Sequence, residues 1–545
     1  MKKPGILLGA LVGGLLTLPL LALLYVGQQL AGFPFVPFNV FNNVRDLTPG
    51  GIITFVIDQM INVISSLNLG RVDTTAKLIE QSMGILMLLA ITIIAGAIFF
   101  ALMRRAQHRQ EWLPGVILGL IVGVALTILS LAGTQVYSAD PLTSAIWIVG
   151  LFILWGYAVN WAYNRLTYAL TSAAPDNPPE IRVEQIDRRQ FLIRLGGATA
   201  AITVAGAFVG SMVGDSGAVR TVSLGASEPE TTAADLPNAD ASVLPAPGTR
   251  PELTPVAEHY RIDISLQPPE IDLASWTLPF VVRSSDGGET TLAELTMDDI
   301  RGLTPVEKYI PQGCISHRIG GGLISTVLWK GALMQDVLKQ VSLPESTTHL
   351  LITGADGFFE TVSLEEINND SRIMMAYDWA GAPLPVRNGF PLRIHIPDRY
   401  GMKQPKWITK IEALDHDVDG YWVVRSWDKE AFVRATSVID TVATENAITS
   451  GDQQLIPVGG IAWAGARGIS KVEVSVDDGD WVEAQLREPL SDETWVLWRY
   501  DWQFAEGSHK FAVRCYDGSG AMQITDPAPE HPSGATGIHS VNVTV

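Results

Sequence analysis

The stretch PQGCISHRIGGGLISTVLW, residues 311 to 329, sets one of the chain's two cysteines in a glycine-rich polar loop beside His317 and Arg318. A thiol placed there has few occupations. As a nucleophile Cys314 needs a base, and His317 stands three positions on, a spacing that fixes no geometry in a loop. As a redox thiol it needs a resolving partner, and Cys515 lies in a different part of the chain. As a soft thiolate it suits one metal held mainly by an organic cofactor, where a single protein ligand suffices. A buried structural cysteine is the remaining option, and the polar glycine-rich setting makes it less attractive.

Around this loop, from Tyr260 to about residue 436, short β-like runs such as HLLIT and PLRIHI alternate with one helical segment, LMQDVLKQV. This pattern predicts an α+β domain over residues 259–436. In PLRIHI a strand puts Leu392, Ile394 and Ile396 on one side and Arg393 and His395 on the other, so Arg393 can face a ligand while the apolar set packs. Lys403 and Lys406 flank a turn after Gly401, where cations and backbone amides together suit a phosphate; a solvated basic turn is the plainer reading of those two residues alone. Beyond residue 440 helical periodicity ends. Val472, Val474 and Val476 alternate with Lys471, Glu473 and Ser475, a turn follows at Asp478 and Gly479, and TWVLWRYDWQF and HKFAVRCYD read as further strands. Residues 437–545 are therefore predicted to form an all-β, immunoglobulin-like sandwich, with Cys515 packed inside a strand.

Composition bounds the rest of the chain. At 545 residues there is room for several domains, and a hydrophobic fraction of 47% is high for a purely soluble protein. The formal charge of -19 argues against nucleic acid as a partner. Two cysteines cannot build a disulfide framework, an iron–sulfur cluster or a thiolate zinc site. Residues 5–27, 83–103, 113–133 and 144–163 are uncharged and long enough to cross a hydrocarbon core of about 30 Å, which predicts a transmembrane α-helical bundle of about four spans within residues 1–186. Lys2 and Lys3, then Arg104, Arg105 and Arg109, then Arg165, Arg182, Arg188 and Arg189 mark the cytoplasmic ends. The segment 51–68, apolar apart from Asp58, is expected in the outer interface. No histidine and no cluster of ionisable residues lies within the spans, so the bundle reads as an anchor or docking surface, neither a haem site nor a transporter.

Residues 187–214, DRRQFLIRLGGATAAITVAGAFVGSMVG, pair Arg188 and Arg189 with Phe191 and Leu192 ahead of an uncharged run. They resemble a twin-arginine export signal, here expected to be retained as an anchor helix. Residues 215–258 are rich in Ala, Pro, Thr, Ser and acids and read as a solvated, disordered linker.

From Cys314 to Leu338 the sequence CISHRIGGGLISTVLWKGALMQDVL resembles the core of the sulfite oxidase-type molybdopterin oxidoreductases, the IST and WKGALMQDVL elements carrying the match. EHYRIDISLQPPEID from residue 258 and RNGFPLRIHIPDRYGMKQPKWITKIE from residue 387 extend the likeness, which covers roughly residues 258 to 545. The resemblance implies that Cys314 ligates molybdenum beside a molybdopterin dithiolene, and that Asn388, Arg393, Lys403, Gln404, Pro405 and Lys406 contact the cofactor. It places Tyr260 and Arg261 near metal and pterin, Arg261 and Arg318 as recognisers of substrate charge, His317 within reach of the pterin where relatives often have Asn, and Thr353 as a further contact. Where the family carries an active-site tyrosine, ADGFFETVSLEEI offers Phe358 and Phe359. The terminal domain resembles the family's dimerisation domain, implying a homodimer.

The function this implies is a multi-pass protein of a bacterial cell membrane whose exported domain, periplasmic or extracellular, oxidises sulfite or a related oxyanion by oxygen-atom transfer. With no haem or cluster motif in the chain, the electrons need an external carrier, a cytochrome or a quinone-linked one. The alternatives are an S-oxide reductase of the methionine sulfoxide type, which would use the same ligands, and a metal-free binding module on a membrane anchor.

Overall fold

The computed structural model describes residues 4–67, 69–105, 111–132, 139–171, 188–217, 236–283 and 288–545, and the chain divides into two compact units. Seven α-helices precede the first strand among these residues: α1 (Ile6–Ala31), α2 (Val36–Leu47), α3 (Gly50–Ser66), α4 (Val72–Arg105), α5 (Leu113–Leu131), α6 (Pro141–Thr171) and α7 (Arg188–Gly217).

The first unit contains α1, α2, α4 from Ala76 onward, α5, α6 and α7. Its interior packs Leu24, Phe100, Phe152, Trp155, Val159 and Tyr163, yet Leu7, Leu86, Ile121, Ile128 and Phe208 are exposed on its outside. Helices apolar on every side belong in a membrane or a large core. By length and composition α1, α4, α5, α6 and α7 could each cross a membrane, and they coincide with the four expected spans and the Arg188–Arg189 helix. Between α5 and α6 backbone meets backbone: a Cβ on Gly119 would collide with the Phe152 carbonyl, and one on Gly156 with that of Gly115. Arg109 and Arg182, used in the topology argument, lie outside the described residues.

The second unit holds α3, the start of α4 to Thr75, residues 236–264 and everything from Pro268 onward. α3 buries Ile53 and Ile64 but exposes the apolar Phe55, Val56 and Val63. Ten strands and three short helices then build the oxidoreductase-like region: β1 (Thr277–Arg283), β2 (Glu289–Thr296), α8 (Met297–Arg301), β3 (Pro305–Gly313), β4 (Ile324–Leu333), α9 (Met334–Leu338), β5 (His349–Gly354), β6 (Phe359–Ser363), α10 (Leu364–Asn369), β7 (Met374–Trp379), β8 (Ala382–Pro383), β9 (Arg393–His395) and β10 (Ile408–Leu414). Local chemistry sets the helix starts. Thr296 and Asp299 form a reciprocal capping box on α8, and Ser363 Oγ accepts from Glu366 N on α10. One sheet runs β2-β1-β10-β5-β6, with β1 parallel to β10; the other runs β3-β4-β7-β8, with β9 on β7. Leu278, Phe280, Leu350, Ile352, Met375, Leu392, Ile394 and Ile411 share a core. Leu392, Ile394 and Ile396 do point into it, but Arg393 and His395 on the opposite side of the strand are buried as well.

The C-terminal region comprises β11 (Thr436–Val442), β12 (Ile448–Ser450), β13 (Gln453–Trp463), β14 (Ile469–Val476), β15 (Val482–Glu483), β16 (Gln485–Leu486), β17 (Val496–Gln503), β18 (Ser508–Asp517) and β19 (His539–Thr544). Sheets β11-β13-β17-β16 and β15-β14-β18-β19, all antiparallel, enclose Val458, Val472, Val474, Trp498, Phe511, Val513 and Cys515. The β14–β15 turn falls at Asp477 and Asp478, both at positive φ, one position before the expected pair.

The disordered linker expected over residues 215–258 is corrected for residues 236–258. These pack on the C-terminal region: Arg250 pairs with Asp440 at 2.6 Å, Glu252 with Arg487 at 3.1 Å, and Ala246 is buried. The polar composition is that of a solvated tether, but its charges meet partners far along the chain. Residues 218–235 lie outside the described residues.

Candidate active site

The last rung of the β3–β4 ladder joins Gly313 to Ile324, and the loop between them carries Cys314. Its backbone closes on itself: Cys314 N donates to Leu323 O at 3.0 Å, His317 N to Cys314 O at 2.9 Å, and Gly321 N to Arg318 O at 2.8 Å. His317 Nδ1 accepts from Leu323 N at 3.2 Å. Burial, with a smaller push from Arg250, takes the His317 pKa down to about 4, so the ring is neutral and free to accept that bond. Cys314 is buried beside Tyr260 and Leu323, its Sγ 3.0 Å from Ser316 Oγ. Burial raises the thiol above its ordinary value, and Ser316 only partly offsets this. The thiol is therefore a weak free nucleophile, and the nearest base in sequence spends Nδ1 on the loop backbone. A bound metal ion would take the proton's place.

Tyr260 lies within electrostatic reach of both Cys314 and Arg393, and its hydroxyl is held protonated by burial. Arg393, on β9, is 4% exposed. Its guanidinium donates to Asn388 O at 2.9 Å and Gln312 Oε1 at 2.8 Å, and sits 4.8 Å and 5.1 Å from the ring centres of Trp329 and Trp379. Burial lowers its pKa to about 10, so it stays charged at neutral pH. Its Nε has no hydrogen-bond partner, and among the described residues it forms no ion pair with a carboxylate. A buried cation without a counter-ion costs several kcal/mol. An anion delivered to this place removes that cost.

Other groups converge here. Lys406 Nζ is 3.2 Å from Asp263 Oδ2 and 3.4 Å from Arg387 O, and Asp263 also takes Arg261 Nε at 2.7 Å. Burial lowers the Lys406 pKa and raises that of nearby Asp356, the two feeling one another's charge. Gly389, at φ 124°, leaves no room for a side chain: a Cβ would lie 2.8 Å from Lys406 Cβ and 3.3 Å from Arg393 Cβ. His259 stacks on Tyr260 and tilts against Trp379, with ring centres 5.1 Å and 4.5 Å away. Burial first, then Arg393, depress its pKa to about 3. The neutral ring must donate from Nδ1 to Tyr260 O, 2.9 Å away, which leaves Nε2 as a buried acceptor with no partner. Arg393 Nε lacks an acceptor and His259 Nε2 lacks a donor. A ligand that is anionic and also carries ring N–H groups satisfies both.

Among the expected site residues, the structure brings Tyr260, Arg261, Asn388, Arg393 and Lys406 into this cluster. Gln404 turns its side chain to Gln312, and Pro405 O accepts from Ile394 N at 3.0 Å. Thr353 sits in β5, its carbonyl 3.4 Å from Thr409 Oγ1. Lys403 is placed elsewhere, paired with buried Glu360 at 2.6 Å. Arg318 pairs with Glu530 and donates to Asn62 Oδ1 at 3.0 Å, so its charge is matched. Phe358 and Phe359 pack on Tyr421, and a different tyrosine, Tyr400, lies in electrostatic reach of Cys314 with its pKa pushed up to about 12 by burial. Sequence reading passed over His259, Asp263, Arg387, Gln312 and Tyr400. His259 and Asp263 flank the Tyr260–Arg261 pair, and that adjacency was the available signal.

Comparison with known proteins gives two domain matches: an oxidoreductase molybdopterin binding domain over residues 265–422, and a Mo-co oxidoreductase dimerisation domain over residues 427–530. The chain is 26% identical over 291 residues to mitochondrial sulfite oxidase of Mus musculus, covering 45% of this chain and 52% of that one. It is 24% identical over 333 residues to nitrate reductase [NADH] 1 of Oryza sativa subsp. japonica, covering 49% and 35%. The chain thus spans about half the length, or less, of these curated relatives. Among solved structures, the sulfane dehydrogenase SoxCD of Paracoccus pantotrophus aligns with TM-score 0.46 and 16% identity over 56% of this chain and 86% of that one.

Proposed function

We propose that this chain, similar to the sulfite oxidase-type molybdopterin oxidoreductases, is a molybdenum-cofactor oxidoreductase that oxidises sulfite or a related sulfur oxyanion on an exported, membrane-anchored domain. The molybdenum cofactor, when bound, supplies oxygen-atom transfer and the two-electron change. The protein's share is holding, neutralising and orienting. Cys314 gives the one thiolate for the metal. Arg393 and Lys406 would neutralise the pterin phosphate in the space kept open by Gly389, with Asn388 O accepting from Arg393, and His259 Nε2 would be free to accept from a ring N–H. Tyr260 and Tyr400, both held protonated by burial, are the hydroxyl donors near Cys314, taking the place of the tyrosine absent at Phe358 and Phe359. Arg261, fixed by Asp263, is the residue for substrate charge. The observation that carries this reading is Arg393: a buried, charged, carboxylate-free guanidinium makes sense only with an anion to receive.

A second reading, reduction of an S-oxide of the methionine sulfoxide type, is favoured by the pairing of Arg261 with Asp263 and Arg318 with Glu530. Matched cations make a pocket less selective for a dianion than free ones. In either direction the α1, α4, α5, α6 and α7 helices anchor the enzyme in a bacterial membrane, N-terminus inside. The twin-arginine helix is retained, the immunoglobulin-like domain makes a homodimer, and a cytochrome or quinone-linked carrier exchanges the electrons.

The test is metal and pterin content of the purified full-length protein, followed by sulfite oxidation and sulfoxide reduction on the same sample. Molybdenum near one per chain with sulfite-dependent electron release supports the first reading, and sulfoxide turnover alone selects the second. A chain that takes up no metal in a pterin-competent host is a binding module.

A further inference from the structure

Behind Arg393 lies a run of buried polar side chains that the cofactor reading leaves unused. Arg393 Nη2 donates to Gln312 Oε1 at 2.8 Å, and Gln312 Nε2 donates to Gln404 Oε1 at 3.0 Å. His395 Nδ1 stands 3.4 Å from that same Gln404 oxygen, and its Nε2 stands 3.0 Å from Glu493 Oε2. Glu493 Oε1 in turn accepts from Lys308 Nζ at 2.8 Å. Gln312, Arg393, His395, Gln404 and Glu493 are each between 2% and 4% exposed. Glu493 belongs to the C-terminal region, in the segment just before β17, whereas the other four belong to the oxidoreductase region.

The orientation of both glutamine amides in this run can be fixed. Gln404 Nε2 reaches the carbonyls of Ile396 at 3.3 Å and Arg399 at 2.9 Å, which only a donor can meet, so Oε1 faces His395. Gln312 Oε1 must accept, because arginine only donates. His395 therefore has an acceptor at each ring nitrogen, an amide oxygen on one side and a carboxylate on the other. Burial pushes the Glu493 carboxyl up, but the contacts and charges of His395 and Lys308 together bring its pKa down to about 2, so it stays ionised.

We infer that Glu493, reaching in from the C-terminal region, fixes His395 through their 3.0 Å contact and through Gln404 and Gln312 sets the guanidinium of Arg393 for its anion. Glu493 and His395 are thus positioning residues for cofactor retention. The dimerisation-type domain completes the cofactor site as well as making an interface. This inference rests on the reading of Arg393 as a cofactor residue.

The test uses the full-length protein from a pterin-competent host, with bound pterin measured as its fluorescent oxidation product after timed dialysis. Glu493→Gln should lower retained pterin several-fold, and Glu493→Asp, which keeps the charge, should recover part of it. The double variant Arg393→Lys/Glu493→Gln should retain no less than Arg393→Lys alone, since both act through one guanidinium. Wild-type retention in Glu493→Gln, or losses that multiply in the double variant, overturn the inference. If Glu493→Gln gives no cooperative melt, His395→Gln takes its place: a several-fold loss of pterin there supports the inference, and wild-type retention overturns it. A wild-type chain that holds no pterin overturns the cofactor reading itself, and this inference with it.

Discussion

The two cysteines occupy opposite kinds of interior. Both are buried, and burial raises both thiols. Cys515, on β18, is wrapped by Val472, Val474, Phe511 and Val513 within the sandwich, whereas Cys314 sits at a loop edge with Ser316, Tyr260 and Tyr400 about it and carboxylate-free Arg393 beyond. Burial and thiol acidity therefore fail to tell a structural cysteine from a proposed ligand. The neighbours do: one thiol is enclosed by groups that need nothing further, the other by groups whose hydrogen bonds and charge are incomplete.

The sharpest break of this contrast is Cys314→Ser. Outer-shell changes around metals typically cost 10–100-fold, so losing the ligand itself should lower turnover by more than roughly 100-fold. Full activity in this variant ends the metal-ligand assignment. Next in size, Arg393→Gln removes the counter-charge for the anion, and pterin retained after dialysis should fall by roughly tenfold or more. Arg261→Gln should raise KM for the substrate by about tenfold while leaving pterin content nearly unchanged; an equal loss of pterin instead makes Arg261 a cofactor residue. Cys515→Ala removes a packed sulfur only, costing about 1 kcal/mol, a fall in Tm of a few degrees, with turnover unaltered. The last effect is alkaline. With its folded pKa pushed up to about 12 from an ordinary 9.0, the Cys515 thiol contributes stability that is full below about pH 9 and is lost as pH climbs toward 12. Denaturant melts across that window should show the decline in the wild type and a flatter profile in Cys515→Ala.

Much of the design was legible because it is local. The Cys314 loop, the apolar helices and the Val472–Val474 alternation are each written within a few consecutive residues. What escaped is written across the chain. Lys403 and Arg318 look like free cations until Glu360 and Glu530 are placed beside them, and residues 236–258 look solvated until Asp440 and Arg487 take up Arg250 and Glu252. Strand alternation implies one wet face for β9, but Trp329 and Trp379 cover the side that Arg393 uses. His259 gave no pattern to read, since its significance lies in a ring nitrogen left without a donor.

The order of strands in the first sheet bears on how the molecule is made. β10 is its middle strand, flanked by β1 and β5, and Phe280 of β1 pairs with Ile411 of β10. A ribosome releases β1 with β2, and β5 with β6, before the strand that joins them exists. The sheet closes only once residue 414 has emerged, a long-range and hence slow pairing. Asn388, Arg393 and Lys406 leave the ribosome immediately before it. Scaffold and proposed cofactor grip are thus finished by one late stretch of chain, and a polypeptide halted short of it has neither.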